Sequence, residues 1–496
     1  MRTAIVWLRQ DLRLADNPAL HAAAGFDRVV PLWIDETPAA DEQGREHVPG
    51  AASRAWTHRS LQSLSQALGS AGTDLLLARG EPSSVLERLI DALGTASDTA
   101  PDDEVRVFWN RRYDPLGIAR DKAIKQALDA HRPRTFNARL LHEPWEVLKK
   151  DGTPYRVYTP YWRAVARRLD EQGGIDVLAA PEVLGGWRHD AALRATLAEN
   201  GFGTDVEALS LLPDHAWAPD LLEAWPIGEP AALQRLRRFL GEAVHAYQDA
   251  RDLPGEDGTS RLSPALHHGE LSPRQALAAL CAGRPIAALG EGETVFAKEL
   301  VWREFGAAML YHFPDTLHEP LDRRFQRFEW NPEPDAWLSA WQRGRTGVPI
   351  VDAGMRQLYA TGWMHNRVRM VVASYLIKNL LVDWRRGEAW FRDTLVDADL
   401  GSNTLGWQWA AGCGADAAPF FRVFNPVLQG EKFDRDGRYV RRWVPELARV
   451  DKRSLHKPWE LSAAQRAGLD YPAPLVDLKL SRQRALDAFA ALKQGG

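Results

Sequence analysis

The pattern that most constrains the fold is an alternation of short apolar segments and amphipathic helical segments along residues 1–137. The apolar, β-branched segments are TAIVWL, DRVVPLWI, TDLLLA and EVRVFWN, and the amphipathic ones are ASRAWTHRSLQSLSQAL and PSSVLERLIDAL. Strands that alternate with helices predict an α/β domain with a doubly wound parallel sheet, because each parallel connection needs a crossover. The turn after the first predicted strand, RQDLRLADNP, lacks the pattern GxGxxG, which argues against an NAD-binding domain.

Strand signals nearly disappear beyond this domain. Residues 138–225 are irregular and rich in proline and glycine, which is typical of a long connector with short helices. From residue 226 onward, apolar residues recur with a helical period, as in LQRLRRFLGEAVHAY, ETVFAKELVWREFGAAML and NRVRMVVASYLIKNLLVDW. The chain is thus predicted to contain an α/β domain (1–137), an interdomain linker (138–225) and a large all-helical domain (226–496).

Cysteine content, hydropathy and charge exclude several protein classes. Two cysteines, Cys281 and Cys413, cannot form a disulfide framework or a cysteine-based metal site, as expected in a reducing cytoplasm. The start MRTAIVWLRQDLRL becomes charged too early for a signal peptide, and no apolar run is long enough to cross a membrane. The net charge is −7 over residues 1–250 and +3 over residues 251–496, so the basic excess lies in the helical half.

The segment TSRLSP (259–264) combines hydroxyls with an arginine at a predicted helix start. Ser263 before Pro264 is typical of an N-cap followed by proline at the first helical position. Hydroxyls, free N–H groups and an arginine at such a place also form an anion site. A plain cap explains the serine but not the preceding Thr-Ser-Arg, so both interpretations stay open at this point.

Two later helical segments each place polar and aromatic side chains on one face, at spacings of three and four residues. The two sets are Glu299, Trp302 and Arg303 in KELVWREF, and Asn366, Arg369 and Met370 in GWMHNRVRMV. Such faces could hold a planar polar ligand. The alternatives are an intrahelical Glu–Arg pair beside a core indole in the first segment, and a simple helix cap by the amide in the second.

The segment LVDADLGSNTLGWQWAAG places Asp397, Asp399 and Asn403 in apolar, glycine-interrupted surroundings. A calcium loop would need glycine at its sixth position and glutamate at its twelfth, where this sequence has Ser402 and Gln408. Buried carboxylates are costly unless they accept hydrogen bonds from a donor-rich group. The segment therefore predicts a site for a ligand rich in donors.

Taken in order, these segments resemble the photolyase/cryptochrome family, and most closely its class I cyclobutane pyrimidine dimer (CPD) photolyases. The matching segments are TSRLSP, ELVWREF, TGVPIVDAGMRQL, GWMHNRVRM and GWQWAAGCGADAAPFFR, within a resemblance that runs from WLRQDLRLADNPAL to VPEL. The resemblance implies an N-terminal α/β domain, a long linker and a helical FAD-binding domain. The histidine-rich pattern of 6-4 photolyases and the Ser-Asn-Arg-Gly-Arg pattern of the DASH branch are absent.

The resemblance also implies FAD, active in its reduced form, as the cofactor of the helical domain. The implied flavin-binding residues are Tyr247, Thr259, Ser260, Arg261, Leu262, Ser263, Asn366, Asp397, Asp399 and Asn403. Asn403 is implied to face flavin N5, where a neutral amide resembles photolyases and an acid or a cysteine resembles cryptochromes.

The implied partner is UV-damaged DNA, whose pyrimidine dimer must leave the duplex to reach a buried flavin. The implied catalytic residues are Glu299, Asn366 and Asn403, and the implied DNA-binding residues are Arg251, Glu299, Trp302, Arg303, Arg367, Arg369, Met370 and Trp409. The implied reaction is light-driven electron donation from reduced FAD to the dimer, which splits its two cyclobutane bonds, followed by return of the electron. Glu299, protonated in a desolvated site, is expected to donate a hydrogen bond to the dimer carbonyl.

Tryptophan is unusually frequent, with 20 Trp against 16 Phe and 10 Tyr. The resemblance implies that Trp407, Trp384 and Trp330 form a chain that carries electrons from the surface to photo-oxidised flavin. The spacing before Trp330 departs from the family pattern by about one residue. Trp302 and Trp409 are implied at the lesion pocket, and the other indoles are expected to be ordinary core.

The antenna chromophore is left open. Folate-binding members carry an Asn-Glu pair where this sequence has Leu116 and Gly117. The alternatives for the antenna are therefore a deazaflavin, folate, another flavin or an empty pocket.

The alternative function is a cryptochrome-like blue-light photoreceptor. Two features argue against it: Asn403, and the ending SRQRALDAFAALKQGG, which has no long tail. A redox flavoprotein that never meets DNA would leave the basic residues around 303 and 367–369 without a role. We expect a cytoplasmic monomer without membrane contact.

Overall fold

The computed structural model describes residues 1–36, 48–95, 104–213, 217–417 and 421–494. Its sheet consists of β1 (Arg2–Leu8), β2 (Arg28–Glu36), β3 (Leu76–Gly80), β4 (Glu104–Asn110) and β5 (Arg134–Phe136). The strands lie in the order β3-β2-β1-β4-β5, and every neighbouring pair is parallel. The predicted α/β domain with a doubly wound parallel sheet is therefore confirmed.

The central strand β1 is buried on both faces. Ile5 and Trp7 pack in the apolar cluster on one side of the sheet, and Ala4 and Val6 pack in the cluster on the other. Alternate residues of a strand point to opposite faces, so a continuous apolar run is what a doubly covered strand requires. The edge strand β5 was not predicted, because three half-buried or exposed residues carry no such run.

Helices cover both faces of the sheet and continue into the connector. The helices of these regions are α1 (Pro18–Ala23), α2 (Ala51–Ser70), α3 (Pro82–Thr95), α4 (Pro115–Ala127), α5 (Tyr158–Glu171), α6 (Ala191–Glu199) and α7 (Trp217–Glu223). Segment α5 is amphipathic and packs its tyrosines against the helical half. The connector is therefore part of the packed structure.

The rest of the described chain is helical, as predicted. Its helices are α8 (Glu229–Glu242), α9 (Tyr247–Ala250), α10 (Ser263–His268), α11 (Pro273–Cys281), α12 (Glu291–His312), α13 (Asp335–Gln342), α14 (Pro349–Thr361), α15 (Asn366–Ser374), α16 (Trp384–Thr394), α17 (Leu400–Ala411), α18 (Pro426–Phe433), α19 (Arg438–Trp443), α20 (Ala463–Ala467) and α21 (Leu478–Gln494). Among the described residues, no helix combines the length and the apolar content needed to cross a membrane.

One predicted helix is interrupted. The segment NRVRMVVASYLIKNLLVDW has a continuous helical period, but α15 passes into a π-helical turn, Tyr375–Asn379, and ends there. Leu381 then takes a left-handed backbone conformation with φ of 53°, and Asp383 caps the next helix by accepting a hydrogen bond from the Arg385 N–H. Apolar periodicity alone does not register this change, because the residues of the break are buried like those of the helix.

Buried polar groups join the α/β domain to the helical half. The fully buried guanidinium of Arg13, just after β1, donates hydrogen bonds to the carbonyl oxygens of Asp16, Ala138 and Gly269. Glu270 accepts hydrogen bonds from the Trp56 indole and the Ser60 hydroxyl of α2, and from the Gly228 N–H. The position of the helical half relative to the sheet is thus set by directional bonds as well as by apolar packing.

Glu270 predicts a specific pH dependence of stability. Burial raises the pKa of its carboxyl to about 7, although the surrounding donors oppose the shift. Because the folded protein then binds the proton more tightly than the unfolded chain, this group lowers the free energy of unfolding as pH rises from about 4.5 to 7, by up to about 3 kcal/mol. Glu270→Gln keeps an acceptor oxygen without the charge. We expect it to remove this pH-dependent loss in urea unfolding at pH 5 and pH 8, whereas the exposed Glu242→Gln control follows the wild type. Identical pH slopes for Glu270→Gln and wild type would contradict the assignment.

Candidate active site

Contacts within the helical half bring together predicted site residues that are distant in sequence, and we call the region around residues 247, 259–263, 366, 397 and 403 the cleft. The Trp363 indole N–H donates to the Ser263 hydroxyl at 3.3 Å, and the Arg261 guanidinium carbon lies 5.3 Å from the Trp363 ring centroid. The start of α10 therefore meets the turn before α15. These are the TSRLSP and GWMHNRVRM segments, which sequence alone could not place side by side.

The predicted N-cap role of Ser263 is wrong. Helix α10 begins at Ser263 with Leu262 in the capping position, and no side chain caps it. The Ser263 hydroxyl instead accepts the indole hydrogen bond, and the residue is exposed. Arg261 has a left-handed backbone with φ of 48°, and its buried Nε has no hydrogen-bond partner among the described residues. Strain of this kind and an unpaired donor are typical of a ligand site.

Tyr247 forms an aromatic wall near this segment. Its ring is buried against Phe239 and Phe296, with centroid distances of 5.3 Å and 5.8 Å. Burial raises the pKa of the phenol, so the hydroxyl stays protonated. Arg251 lies one helical turn further on, with its guanidinium carbon 5.6 Å from the Tyr247 ring centroid. The wall is therefore apolar on one side and carries a cation on the other.

Glu299 and Trp302 of α12 share a face, as the spacing predicts, but their partners come from elsewhere. The Glu299 carboxylate forms an ion pair with Arg251, so the intrahelical Glu299–Arg303 pair does not form. Burial raises the pKa of Glu299, while the Arg251 charge opposes the rise. Trp302 stacks on Tyr158, with ring centroids 3.6 Å apart. Glu299 therefore has a cation beside it as well as the desolvation expected from its sequence.

Arg303 has protein partners in the structure, and its contact with DNA stays a prediction. Its guanidinium donates to the carbonyl oxygens of Arg139 at 2.7 Å and Leu266 at 3.1 Å, and it lines a cavity between the two halves of the protein. Spacing places Arg303 on roughly the face of Glu299, but a long side chain can turn toward the neighbouring domain. The same bonds give Arg303 a structural role that does not need DNA.

The remaining arginines of the predicted DNA surface also have protein partners. Arg367 bonds to both oxygens of Asp252, at 3.2 Å and 2.7 Å. Arg369 donates to the two oxygens of the buried Asp397, at 3.0 Å and 2.8 Å. The ion pairs of Arg367 and Arg369 could thus be purely structural. These arginines would therefore have a role even in a flavoprotein that never meets DNA.

The carboxylates and amides of the cleft are set at helix starts. Asp399 caps α17 by accepting from the Ser402 N–H at 2.9 Å. Asn366 is the first residue of α15 and is exposed. The helix cap, which was one predicted role of Asn366, is provided by His365 instead. The Asn403 amide N–H donates to the Glu388 carboxylate at 2.8 Å and to the Glu388 carbonyl at 3.2 Å. With its N–H group held, Asn403 keeps its carbonyl oxygen as the acceptor for a ligand.

The three indoles predicted as an electron route belong to one apolar cluster. Trp384 and Trp407 are buried in it, and Trp330 is half-buried against its edge. Trp407 packs on Phe391, at a centroid distance of 5.0 Å, and Trp330 packs on Phe328 at 4.5 Å. Trp330 thus lies nearest to solvent of the three.

Several residues around the site were missed by the sequence patterns. They are Tyr158, Asp252, Trp363 and Glu388. Trp363 lies within a matching segment and could have been proposed from it. The others reach the site across helix contacts, for which no local spacing exists.

The residues of the cleft suit a dinucleotide that carries a flavin. Hydroxyls at 259, 260 and 263 and the unpaired Arg261 Nε are donors for phosphate oxygens. The carboxylates of Asp397 and Asp399 and the Asn403 carbonyl are acceptors for hydroxyl and ring N–H groups. Among the described residues, no cluster of three or more His, Cys, Asp or Glu could hold a metal ion.

A second site lies between the two halves, which we call the interdomain cavity. It has a volume of about 370 Å³ and lies at the carboxyl ends of β1, β2 and β4, where Gln10, Asp35 and Arg112 line it. The cavity lies beside a central strand, at the position where open parallel sheets bind ligands. Burial lowers the pKa of His268 to about 3, so its imidazole is neutral. The buried His267 Nδ1 and Arg303 Nε have no hydrogen-bond partner among the described residues, which suits a polar ligand.

Leu116 lines the interdomain cavity and Gly117 stands beside it. A Cβ at Gly117 would lie 2.8 Å from Arg112 Cβ, so a larger residue there requires a different local arrangement. Arg139 and Asp399, the latter predicted to bind the flavin, both line this cavity, and the Arg139 guanidinium lies 3.4 Å from the Asp399 carboxylate. Burial lowers the pKa of Arg139 to about 9.

Comparison with known proteins gives likenesses over the whole chain. Residues 4–182 match the family described as DNA photolyase, and residues 296–491 match the FAD binding domain of DNA photolyase. The deoxyribodipyrimidine photo-lyase of Agrobacterium fabrum is 46% identical over 99% of this chain and 98% of that protein. Its Escherichia coli counterpart is 38% identical over the full length of both. Cryptochrome-1 of Arabidopsis thaliana is 36% identical over 99% of this chain and 70% of that protein.

Two solved structures share the fold. The class III photolyase of Agrobacterium tumefaciens is 44% identical, with a TM-score of 0.87 over 100% of this chain and 98% of that one. The archaeal photolyase of Sulfolobus tokodaii, solved with two FAD molecules, is 27% identical, with a TM-score of 0.78 over 99% and 100% of the two chains. The sequence resemblance points to class I, whereas the first of these relatives is of class III. Each half of the chain has its counterpart in these proteins.

Proposed function

The chain belongs to the photolyase/cryptochrome family, and we propose that it is a deoxyribodipyrimidine photolyase, a flavoenzyme that uses blue light to split cyclobutane pyrimidine dimers in UV-damaged DNA. The observation that carries this proposal is the full-length likeness to photolyases, at 46% identity for the Agrobacterium fabrum enzyme. The cleft supports it, because phosphate donors, acceptors for ring N–H groups and aromatic walls converge there.

FAD is the cofactor that this cleft suits, and when bound and reduced it supplies a light-activated one-electron donor. Residues 259–263 would hold its phosphates, and Asp397, Asp399 and Asn403 would line its ribose and ring. Glu388 keeps the Asn403 amide oriented with its carbonyl oxygen available, which suits the N5–H of a reduced flavin. Asn366, exposed at the start of α15, can reach the ligand from the other wall.

For the substrate, Glu299, Trp302, Met370 and Trp409 would form the dimer pocket. Three arginines near the pocket are paired with carboxylates in the DNA-free protein: Arg251, Arg367 and Arg369. Each would either exchange its carboxylate for a DNA phosphate or stay paired at the edge of the dimer pocket. Base flipping costs a few kcal/mol, and less where a lesion already weakens stacking. Aromatic faces at the pocket offset that cost by stacking on the flipped bases.

Glu299 would act on the dimer carbonyl. In the DNA-free protein its carboxyl is paired with Arg251, so an entering dimer has to replace the arginine before the acid can donate to the carbonyl. A proton shared with that oxygen stabilises the negative charge that develops there.

We expect Glu299→Gln to lower the quantum yield of dimer repair by about twofold to tenfold, the effect of one hydrogen bond of roughly 0.5–1.5 kcal/mol. The amide is a weaker donor to a developing negative charge than the carboxylic acid. The measurement is repair per absorbed photon at saturating dimer DNA. Glu291→Gln, at the exposed start of the same helix, serves as control. An unchanged yield in Glu299→Gln would remove Glu299 from the catalytic residues.

The decisive experiment uses the purified, flavin-loaded and reduced protein with an oligonucleotide that contains a single thymine dimer. Blue light should restore the two thymines, and a dark sample should not. Failure to restore them with reduced flavin bound would overturn the proposal. The assay also decides against the alternative of a cryptochrome-like photoreceptor, for which the likeness to Cryptochrome-1 is the supporting observation. Asn403 favours the enzyme.

We place a second, light-harvesting chromophore in the interdomain cavity. The position of Leu116 and Gly117 favours a deazaflavin or another flavin over folate, and the Sulfolobus tokodaii relative with two FAD molecules supports a second flavin. We further propose that the protein is a monomer, and the free thiols of Cys281 and Cys413 support a reducing compartment such as the cytoplasm. Ultrafiltration followed by absorption spectroscopy of the released chromophores tests whether a second chromophore is bound.

A further inference from the structure

A small cavity of about 40 Å³ borders the proposed dimer pocket. Met370 and Trp409, both implied to contact the lesion, line it together with Ser374, Lys378 and Arg422. Met370, Ser374 and Lys378 follow one another at four-residue intervals along α15 and its π-helical turn. They therefore form one row that leads from the dimer pocket inward.

Lys378 is an unusual residue for such a place. Only 4% of it is exposed, and its ammonium donates a hydrogen bond to the Arg422 carbonyl. Its Nζ lies 4.7 Å from the Phe421 ring centroid. Within the described parts of the chain, it forms no ion pair with a carboxylate. The titratable groups near it are the Arg422 guanidinium and the Cys413 thiol, whose own pKa burial raises to about 12.

A buried ammonium without a carboxylate costs stability, and replacement by an apolar side chain of similar shape is often neutral or favourable. Burial together with the Arg422 charge lowers the pKa of Lys378 to about 7. Apolar packing therefore does not explain a lysine here. Groups with such perturbed pKa values in a cleft are candidates for functional roles.

The lysine acts on a backbone segment. Ser374 accepts a hydrogen bond from the Phe424 N–H at 3.3 Å, and Lys378 donates to the Arg422 carbonyl two residues earlier. The row on α15 thus holds residues 421–424 at two points. Between them the Arg422 side chain is exposed, with its guanidinium carbon 5.0 Å from the Phe424 ring centroid.

We propose that Lys378 is a positioning residue that, with Ser374, fixes the backbone of residues 421–424 so that Arg422 binds a DNA phosphate beside the flipped dimer. The inference rests on the proposed function, because it takes the cavity of Met370 and Trp409 as the mouth of the lesion pocket. A guanidinium at that mouth meets the backbone of the damaged strand. A fixed main chain limits the conformations that the arginine has to give up on binding.

The test is a double-mutant cycle of Lys378→Met and Arg422→Ala, with affinity for dimer-containing DNA measured in the dark. Each single variant should weaken binding by about fivefold to tenfold and lower the slope of log Kd against log salt by about one phosphate contact. If Lys378 acts through Arg422, the double variant should bind no more weakly than either single one.

Folding is monitored separately. Lys378→Met should keep its flavin content and a Tm at or above that of the wild type, since the unpaired charge is gone. Ser374→Ala gives a milder second variant, with a smaller loss of affinity in the same direction. Lys122→Met, an exposed charge on α4 of the α/β domain, should bind like the wild type. A lowered Tm with unchanged affinity would make Lys378 merely structural and overturn the inference, as would fully additive losses in the cycle.

The two proposals fail in different ways. If the wild type neither prefers dimer DNA in the dark nor repairs it in the light, the proposed function itself fails. If the wild type does both and Lys378→Met binds equally well, only the role of Lys378 fails.

Discussion

Asp397→Ala is expected to empty the flavin site and to destabilise the helical half at the same time. The Asp397 carboxylate is buried and accepts two hydrogen bonds from Arg369, whose Nε also donates to the Met364 carbonyl. Its removal leaves a half-buried guanidinium without a counter-charge. Breaking such a pair costs about 3–5 kcal/mol when fully buried, and we expect about 2–4 kcal/mol here because Arg369 is partly exposed to solvent.

Flavin loss is expected because the sequence resemblance assigns Asp397 to the flavin site, and Asp397 lies two residues before Asp399, the cap of α17. The measurements are the flavin-to-protein ratio of the purified variant and its urea unfolding curve. Asp315→Ala removes a carboxylate from an exposed ion pair with Arg323 and should leave both close to wild type. A stoichiometric flavin content in Asp397→Ala would exclude this residue from the site.

Gly387→Ala is the second substitution with a large expected effect. Gly387 lies on α16 directly against the Trp407 indole. A Cβ there would overlap the ring and would lie 2.8 Å from Leu376 Cδ2. Overpacking of a close-packed core costs about 1–3 kcal/mol, and we expect the upper end because the ring is enclosed by Phe391 and Trp341. The gain in helix propensity from glycine to alanine, about 1 kcal/mol, is too small to compensate.

The functional consequence concerns Trp407. If this indole carries electrons to the flavin, its displacement in Gly387→Ala should slow photoreduction of the bound flavin, and Trp407→Phe should abolish most of it. Gly406→Ala is the matched control, since it lies on α17 beside Trp407 with nothing within 4 Å of an added Cβ. Gly406→Ala should keep wild-type photoreduction and gain slightly in stability. Normal photoreduction in Trp407→Phe would show that the electron route was assigned wrongly.

The fold was predictable where local pattern decides it. The runs around Ile5, Val30 and Val107 are apolar on both faces, so they could only be covered strands. The strand β5 escaped prediction because its pairing with β4, rather than its own sequence, makes it a strand. The end of α15 escaped it because a π-helical turn keeps the same apolar residues buried.

The site was predictable in its members but not in their pairing. Spacing along α12 places Glu299 and Trp302 on one face, yet the Glu299 partner is Arg251, 48 residues away. The Arg303 partner, the Arg139 carbonyl, is 164 residues away, and that bond turns the side chain into the interdomain cavity. Charge pairing of this kind depends on which helices meet, and a single sequence with helical periodicity does not determine that.

The bonds of Arg13 have a consequence for how the protein unfolds. Its guanidinium is enclosed by carbonyl oxygens from the first loop, from the start of the connector and from the helical half. Separation of the halves would break the Arg13 bond to Gly269 and the Glu270 bonds to Trp56 and Ser60, and would expose the apolar surface packed around them, which is costly. The two halves should therefore melt in one cooperative transition, and an isolated helical half should be an unstable fragment rather than a smaller flavoprotein.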